Sequence, residues 1–156
     1  MEELIITGQT KKEKYETLLP QIASVIEDEP DMIANMANVA AMLHETFRFW
    51  WTGFYRVQGE QLVLGPFQGP LACTRIAKGR GVCGTAWQEA QTLVVKDVHQ
   101  FPGHIACSSA SQSEIVVPIL KDNVVIGVLD IDSEKPALFD EVDAFYLEQV
   151  VKTLWK

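Results

Sequence analysis

The segment from Glu114 to Ser133 leaves this chain the least conformational freedom. Glu114 to Leu120 and Val124 to Ser133 are two strongly apolar, β-branched runs joined at Lys121-Asp122-Asn123, the pattern of an antiparallel hairpin. A second hairpin is expected from Trp50 to Val57 and Leu62 to Phe67, turning at Gln58-Gly59-Glu60. Shorter strands are expected at Ala72 to Ile76, carrying Cys73, and at Thr92 to Val95. Together these runs predict a largely antiparallel sheet of about six strands.

Helical periodicity flanks the hairpins. Thr10 can cap a helix from Lys11 towards Asp28, with Tyr15, Leu18, Leu19, Ile22 and Val25 or Ile26 inward and Pro20 predicted to kink or split it. A second helix follows Pro30, with Asp31 in its first turn and Met32, Ile33, Met36, Val39, Ala40, Leu43 and Phe47 inward. A short helix from Val82 or Cys83 to about Glu89 puts Cys83 in a first turn, where the helix dipole favours a thiolate. The chain closes with a helix from Asp140 to Trp155, its inward stripe Val142, Phe145, Tyr146, Gln149 and Val150. This order predicts an α+β fold, with two N-terminal helices and one C-terminal helix on one face of the sheet and a loop-enclosed ligand pocket on the other.

At 156 residues, 47% hydrophobic, without repeats or linker-like stretches, residues 1–156 are expected to form one domain. A net charge of −8 argues against nucleic acid and anionic membrane as partners. No window approaches the roughly 18 apolar residues of a membrane span, and the N-terminus opens with Glu2 and Glu3 where a signal peptide would be basic, so a cytoplasmic location is expected.

Candidate chemistry centres on Cys73, Cys83 and Cys107. Nine residues separate the first pair and twenty-three the second, so no C-x-x-C motif is present. In a reducing compartment a cystine among them would be transient and catalytic; the plain alternative is three inert buried thiols. Cys107 sits with His99 and His104 in the long loop from Asp97 to Ser113, where a thiol is better placed to react.

Asp130 and Asp132, two apart on a strand, share a face, and carboxylates held so close either bind a cation or raise one another's pKa. Glu114 joins them only in the right register. A two-residue turn at Asp122-Asn123 sets it opposite Ile131, on the wrong face, and a three-residue loop sets it opposite Asp130, while Pro118 invites a bulge.

The runs GPFQGPLAC, GRGVCG, DVHQFPGHIAC, SEIVVPI and IGVLDIDS resemble the free methionine-R-sulfoxide reductases, single GAF domains that reduce free methionine sulfoxide. The resemblance runs from about Trp51 to the final helix and implies a role for each matching residue. Cys107 is the nucleophile that attacks the sulfoxide and becomes a sulfenic acid, Cys73 resolves it as a disulfide, and Cys83 is auxiliary, serving recycling. Glu114, Asp130 and Asp132 hold the substrate's ammonium and polarise the sulfoxide oxygen, with Trp51 and Tyr55 around the S-methyl group. No bound cofactor or metal is implied. Thioredoxin is the external reductant, fed by NADPH through thioredoxin reductase, and a homodimer is left open.

Two rival functions come from other classes. A GAF domain can sense a small molecule such as a cyclic nucleotide without chemistry. Alternatively, His104-x-x-Cys107 with Cys73, Cys83 and His99 could ligate a metal.

Overall fold

The computed structural model describes residues 3–104 and 110–154. The described elements are α1 (Lys11–Ile26), α2 (Met32–Phe47), β1 (Trp51–Gln58), β2 (Gln61–Gln68), β3 (Arg75–Ala77), α3 (Gly81–Glu89), β4 (Leu93–Val95), β5 (Ser113–Lys121), β6 (Val124–Ser133) and α4 (Glu141–Leu154), with a 3-10 turn at Val98–Gln100. The six strands form one antiparallel sheet in the order β3-β2-β1-β6-β5-β4.

Alternation along the central strands divides the interior in two. Phe54, Ile115, Val117, Ile119, Leu129 and Ile131 point to one face and pack with residues of α1, α2 and α4. Their neighbours Trp51, Tyr55, Val116 and Val128 point to the other, against Val82, Cys83, Ala86 and Trp87 of α3. The first core fixes the sheet; the second borders the functional face.

Local signals account for most boundaries. Thr10 and Glu13 form a reciprocal capping box at the start of α1. Asp31 is the N-cap of α2, accepting from the Ala34 amide at 2.9 Å, and so lies just outside the first turn. Asp122 and Asn123 sit at φ 50 and 66, the left-handed pair that a two-residue hairpin turn requires.

Expectations for five residues are corrected. Pro20 does not split α1, which is continuous to Ile26; Pro20 lies on the exposed face, so water can satisfy the carbonyl it leaves unpaired, while Tyr15, Leu18, Ile22 and Ile26 anchor both halves. Ile33 is 44% exposed. In its part of the α2 stripe Asn35 is buried instead, donating to the Glu29 carbonyl at 2.9 Å. Phe145 is 57% exposed because α4 turns Asp143, Leu147, Val150, Val151 and Leu154 inward. Cys73 lies in the coil ahead of β3, and Trp50 ahead of β1.

The buried Asp143 explains the phase of α4. Its carboxylate accepts from the Tyr15 hydroxyl at 2.6 Å and pairs with Lys11 at 2.6 Å, tying the first helix to the last. Replacing Tyr15 with Phe leaves that carboxylate short of a buried donor, and urea unfolding should show a loss of about 1 to 3 kcal/mol. An unchanged midpoint and slope would show that the bond contributes nothing to stability.

Candidate active site

The hairpin reaches its register by a route that neither simple turn provides. Lys121 pairs with Val124 across the two-residue turn, and Leu120 with Val125, but Ile119 pairs with Gly127. One residue, Ile126, is therefore extra on β6, a bulge beside Pro118. Gly127 supplies the close approach this needs, because a Cβ there would lie 2.6 Å from the Tyr55 carbonyl oxygen. Beyond the bulge every pairing moves by one, so Glu114 lies opposite Asp132, and neither Ile131 nor Asp130 is its partner. The expected geometries were both wrong, yet the three acids share a face.

Strand β1 completes the grid. Trp51 is the partner of Asp132, Gly53 of Asp130, and Tyr55 of Val128. The missing side chain at Gly53 is required: a Cβ there would meet the Trp51 ring at 2.6 Å. Over this gap Trp51 stacks between Phe67, at 5.2 Å, and Tyr55, at 6.0 Å. The polar tips of the two site aromatics reach the coil between β2 and β3. Trp51 Nε1 donates to the Pro70 carbonyl at 3.0 Å and the Tyr55 hydroxyl to the Cys73 carbonyl at 2.8 Å.

One cavity gathers these groups. Its walls include Trp51, Tyr55, Cys83, Glu114, Asp130 and Asp132. Trp50, Arg80, His104 and Ser111 also line it, and Arg80 and Ser111 were missed because an isolated Arg or Ser in a loop carries no distinguishing signal. Trp50, lying ahead of the strand, escapes its alternation. Of the thiols, Cys73 is disulfide-bonded, Cys83 is free and buried, and Cys107 lies outside the described residues.

The electrostatics are those of negative charge removed from water. Burial, then the charges of Asp130 and Asp132, push the Glu114 carboxyl well above its ordinary range. Burial and Asp130 do the same to Asp132. Asp130 is raised by burial but relieved by hydrogen bonds with Glu114, Cys83 and Asp132. Its Oδ1 still has no hydrogen-bond partner among the described residues. The acids titrate as a set, and part of the set keeps its protons where free carboxylates have lost theirs.

Cys83 departs from expectation. It does occupy the first turn of α3, but burial and the charges of Asp130 and Glu114 push its thiol up, outweighing the dipole that would favour thiolate. Its Sγ lies 3.9 Å from Glu114 Oε2. The expected metal set is not assembled among the described residues: His99 and His104 stack on one another at 6.4 Å, and the donors that gather around Cys83 are Glu114 and Asp130.

A GAF domain model matches residues 27–156. GAF domain-containing protein A of Dictyostelium discoideum is 60% identical over 154 residues, covering 98% of each chain. The free methionine-R-sulfoxide reductase of Escherichia coli is 46% identical over 147 residues, 94% of this chain and 89% of that one. The X-ray structure of free methionine-R-sulfoxide reductase from Neisseria meningitidis in complex with its substrate superposes with a TM-score of 0.97 at 56% identity, covering 99% of this chain and 93% of that chain. This chain belongs to the GAF-domain family of free methionine-R-sulfoxide reductases. Its fold is the GAF fold expected from the sequence.

For this family member the raised carboxyls make a stability prediction with a definite sign. A carboxyl whose folded pKa exceeds its unfolded value holds its proton more tightly when folded. Its contribution is full below about pH 4 and is lost as pH rises through the folded pKa. Asp132→Asn removes one such group, so the variant should be more stable than the parent near neutral pH, with the difference shrinking towards pH 4. A variant equally or less stable at neutral pH, measured by urea unfolding, would contradict the electrostatic account.

Proposed function

We propose that this chain reduces free methionine-R-sulfoxide to methionine in the cytoplasm, through a Cys107 sulfenic acid and a Cys73–Cys107 disulfide that thioredoxin reduces. The observation that carries it is a single cavity that unites three carboxylates with an aromatic wall, beside a coil whose Cys73 is disulfide-bonded. The relatives named as reductases supply the reaction class. Among the described residues no helix is long and apolar enough to cross a membrane.

The proposed chemistry balances as follows. The Cys107 thiolate attacks the sulfoxide sulfur while a carboxylic acid protonates the oxygen; the hydroxyl so formed passes to the Cys107 sulfur as its bond to the substrate sulfur breaks, methionine leaves with the electron pair, and Cys107 is left as a sulfenic acid. The Cys73 thiol attacks that sulfur, water leaves, and the disulfide forms. A thioredoxin dithiol then takes the oxidised state away and is itself restored by NADPH through thioredoxin reductase. No bound cofactor enters.

The pKa directions divide the labour. Asp130, least raised because neighbours donate to it, is suited to stay ionised and hold the substrate ammonium. Glu114 and Asp132, driven further up, are suited to carry the proton that the oxygen needs. Trp51 and Tyr55 enclose the S-methyl group and hold the Cys73 coil in reach. Cys83, buried with its thiol kept protonated, is auxiliary.

Purified protein with thioredoxin, thioredoxin reductase and NADPH should consume NADPH with free methionine-R-sulfoxide, and Cys107→Ser should abolish turnover. Consumption only with the S epimer would overturn the assigned stereospecificity, and none with either while a nucleotide binds tightly would replace this reading with a sensor. Asp130→Asn should act mainly on KM and Glu114→Gln mainly on kcat, each by at least about tenfold; the reverse split would overturn the division of roles. Sedimentation of the same sample decides between a monomer and a homodimer.

A further inference from the structure

The proposed steps make and break no bond at one buried group, the auxiliary thiol of Cys83. Its Sγ lies beside the acid cluster, 3.9 Å from Glu114 Oε2. One ligand atom from each of Cys83, Glu114 and Asp130 can be chosen such that all lie within 4.8 Å of one another, and all three residues are buried. Asp130 Oδ1, in a residue only 5% exposed, has no hydrogen-bond partner among the described residues. No Lys, Arg or His of the described ion pairs reaches Glu114, Asp130 or Asp132. Buried sulfur and oxygen donors without an ion-pair partner among the described residues, one oxygen of them unsatisfied, point to a cation.

We propose that Cys83, Glu114 and Asp130 bind one thiophilic divalent cation, with zinc the fitting choice, at the position the substrate ammonium would take, so that metal and substrate exclude one another. Thiolate sulfur selects zinc over magnesium or calcium, which take oxygen-only shells. Around a tetrahedral zinc a sulfur at about 2.3 Å and an oxygen at about 2.0 Å stand about 3.5 Å apart. Cys83 Sγ and Glu114 Oε2 stand at 3.9 Å, so this pair need close by only a few tenths of an ångström. Three protein ligands leave a fourth position open towards the cavity. The coordination stands on geometry alone, while the exclusion of substrate rests on the reductase reading.

The two parts separate experimentally. In the Cys73→Ser/Cys107→Ser variant of the full chain, Cys83 is the only thiol, and cobalt(II) can be titrated without turnover. One cobalt per chain is expected, with a near-ultraviolet thiolate-to-cobalt charge-transfer band that zinc displaces. Adding Asp130→Asn or Glu114→Gln should weaken binding at least about tenfold, the size that even an outer-shell partner can carry, and adding Cys83→Ser should abolish the band, with far-ultraviolet dichroism confirming that each variant folds. No stoichiometric band, or affinities unchanged in both folded acid variants, overturns the site. A band that free methionine-R-sulfoxide fails to displace overturns the exclusion, and counts against the reductase reading while leaving the metal site standing.

Discussion

Taking carboxylates out of water costs several kilocalories per mole for each charge unless protons, hydrogen bonds or a cation compensate, and this chain places Glu114, Asp130 and Asp132 on one face of adjacent strands, around one cavity. Their placement depends on a single extra residue. Without the bulge at Ile126, the two-residue turn at Asp122-Asn123 would send Glu114 to the helix-covered face, where Ile131 and Leu129 belong. The same slip would carry Ile115 and Val117 out of the core, so the register that assembles the acids is also the one that keeps the core dry.

The remaining parts of the site follow from that face. With Asp132 beside Trp51 and Asp130 beside Gly53, the aromatic ring leans over the glycine and becomes a wall of the acid pocket. The tips of Trp51 and Tyr55 hold the Pro70 to Cys73 coil by its carbonyls, which links the pocket to a cysteine with no strand of its own. Helix α3 closes the opposite side and brings Cys83 in with its thiol neutral. The stability lost to buried acids is carried by the other side of the sheet, where α1, α2 and α4 pack a continuous apolar core braced by Tyr15, Lys11 and Asp143. Such a separation of a strained functional face from a stable scaffold is common in enzymes.

Much of this is legible in the sequence because it is local. The six strands, the four helices, the cap at Thr10 and the existence of a turn within Lys121-Asp122-Asn123 each rest on a few adjacent residues. The illegible parts depend on distant partners. Pro20 is harmless because its face meets solvent, and α4 is rotated because Asp143 has two donors on α1, neither of which periodicity reveals. Cys83 reads as a dipole-activated thiol until the fold sets two acids beside it. Pro118 hinted at the bulge, but only pairing against β6 fixes its consequence for Glu114. The likeness in motifs to the reductase family did reach the right family, because it compares whole constellations where periodicity compares neighbours.

The central claim is that the buried acids are there to meet a positive charge on the substrate. The most direct measurement compares kcat/KM for free methionine-R-sulfoxide with that for its N-acetyl derivative, which keeps the sulfoxide and loses the ammonium. Removing one partner of a buried charge pair costs about 2 kcal/mol or more, so the acetylated substrate should be slower by at least about thirtyfold. Comparable turnover of the two would mean that the carboxylates do not hold the ammonium, and the account of the pocket would fail.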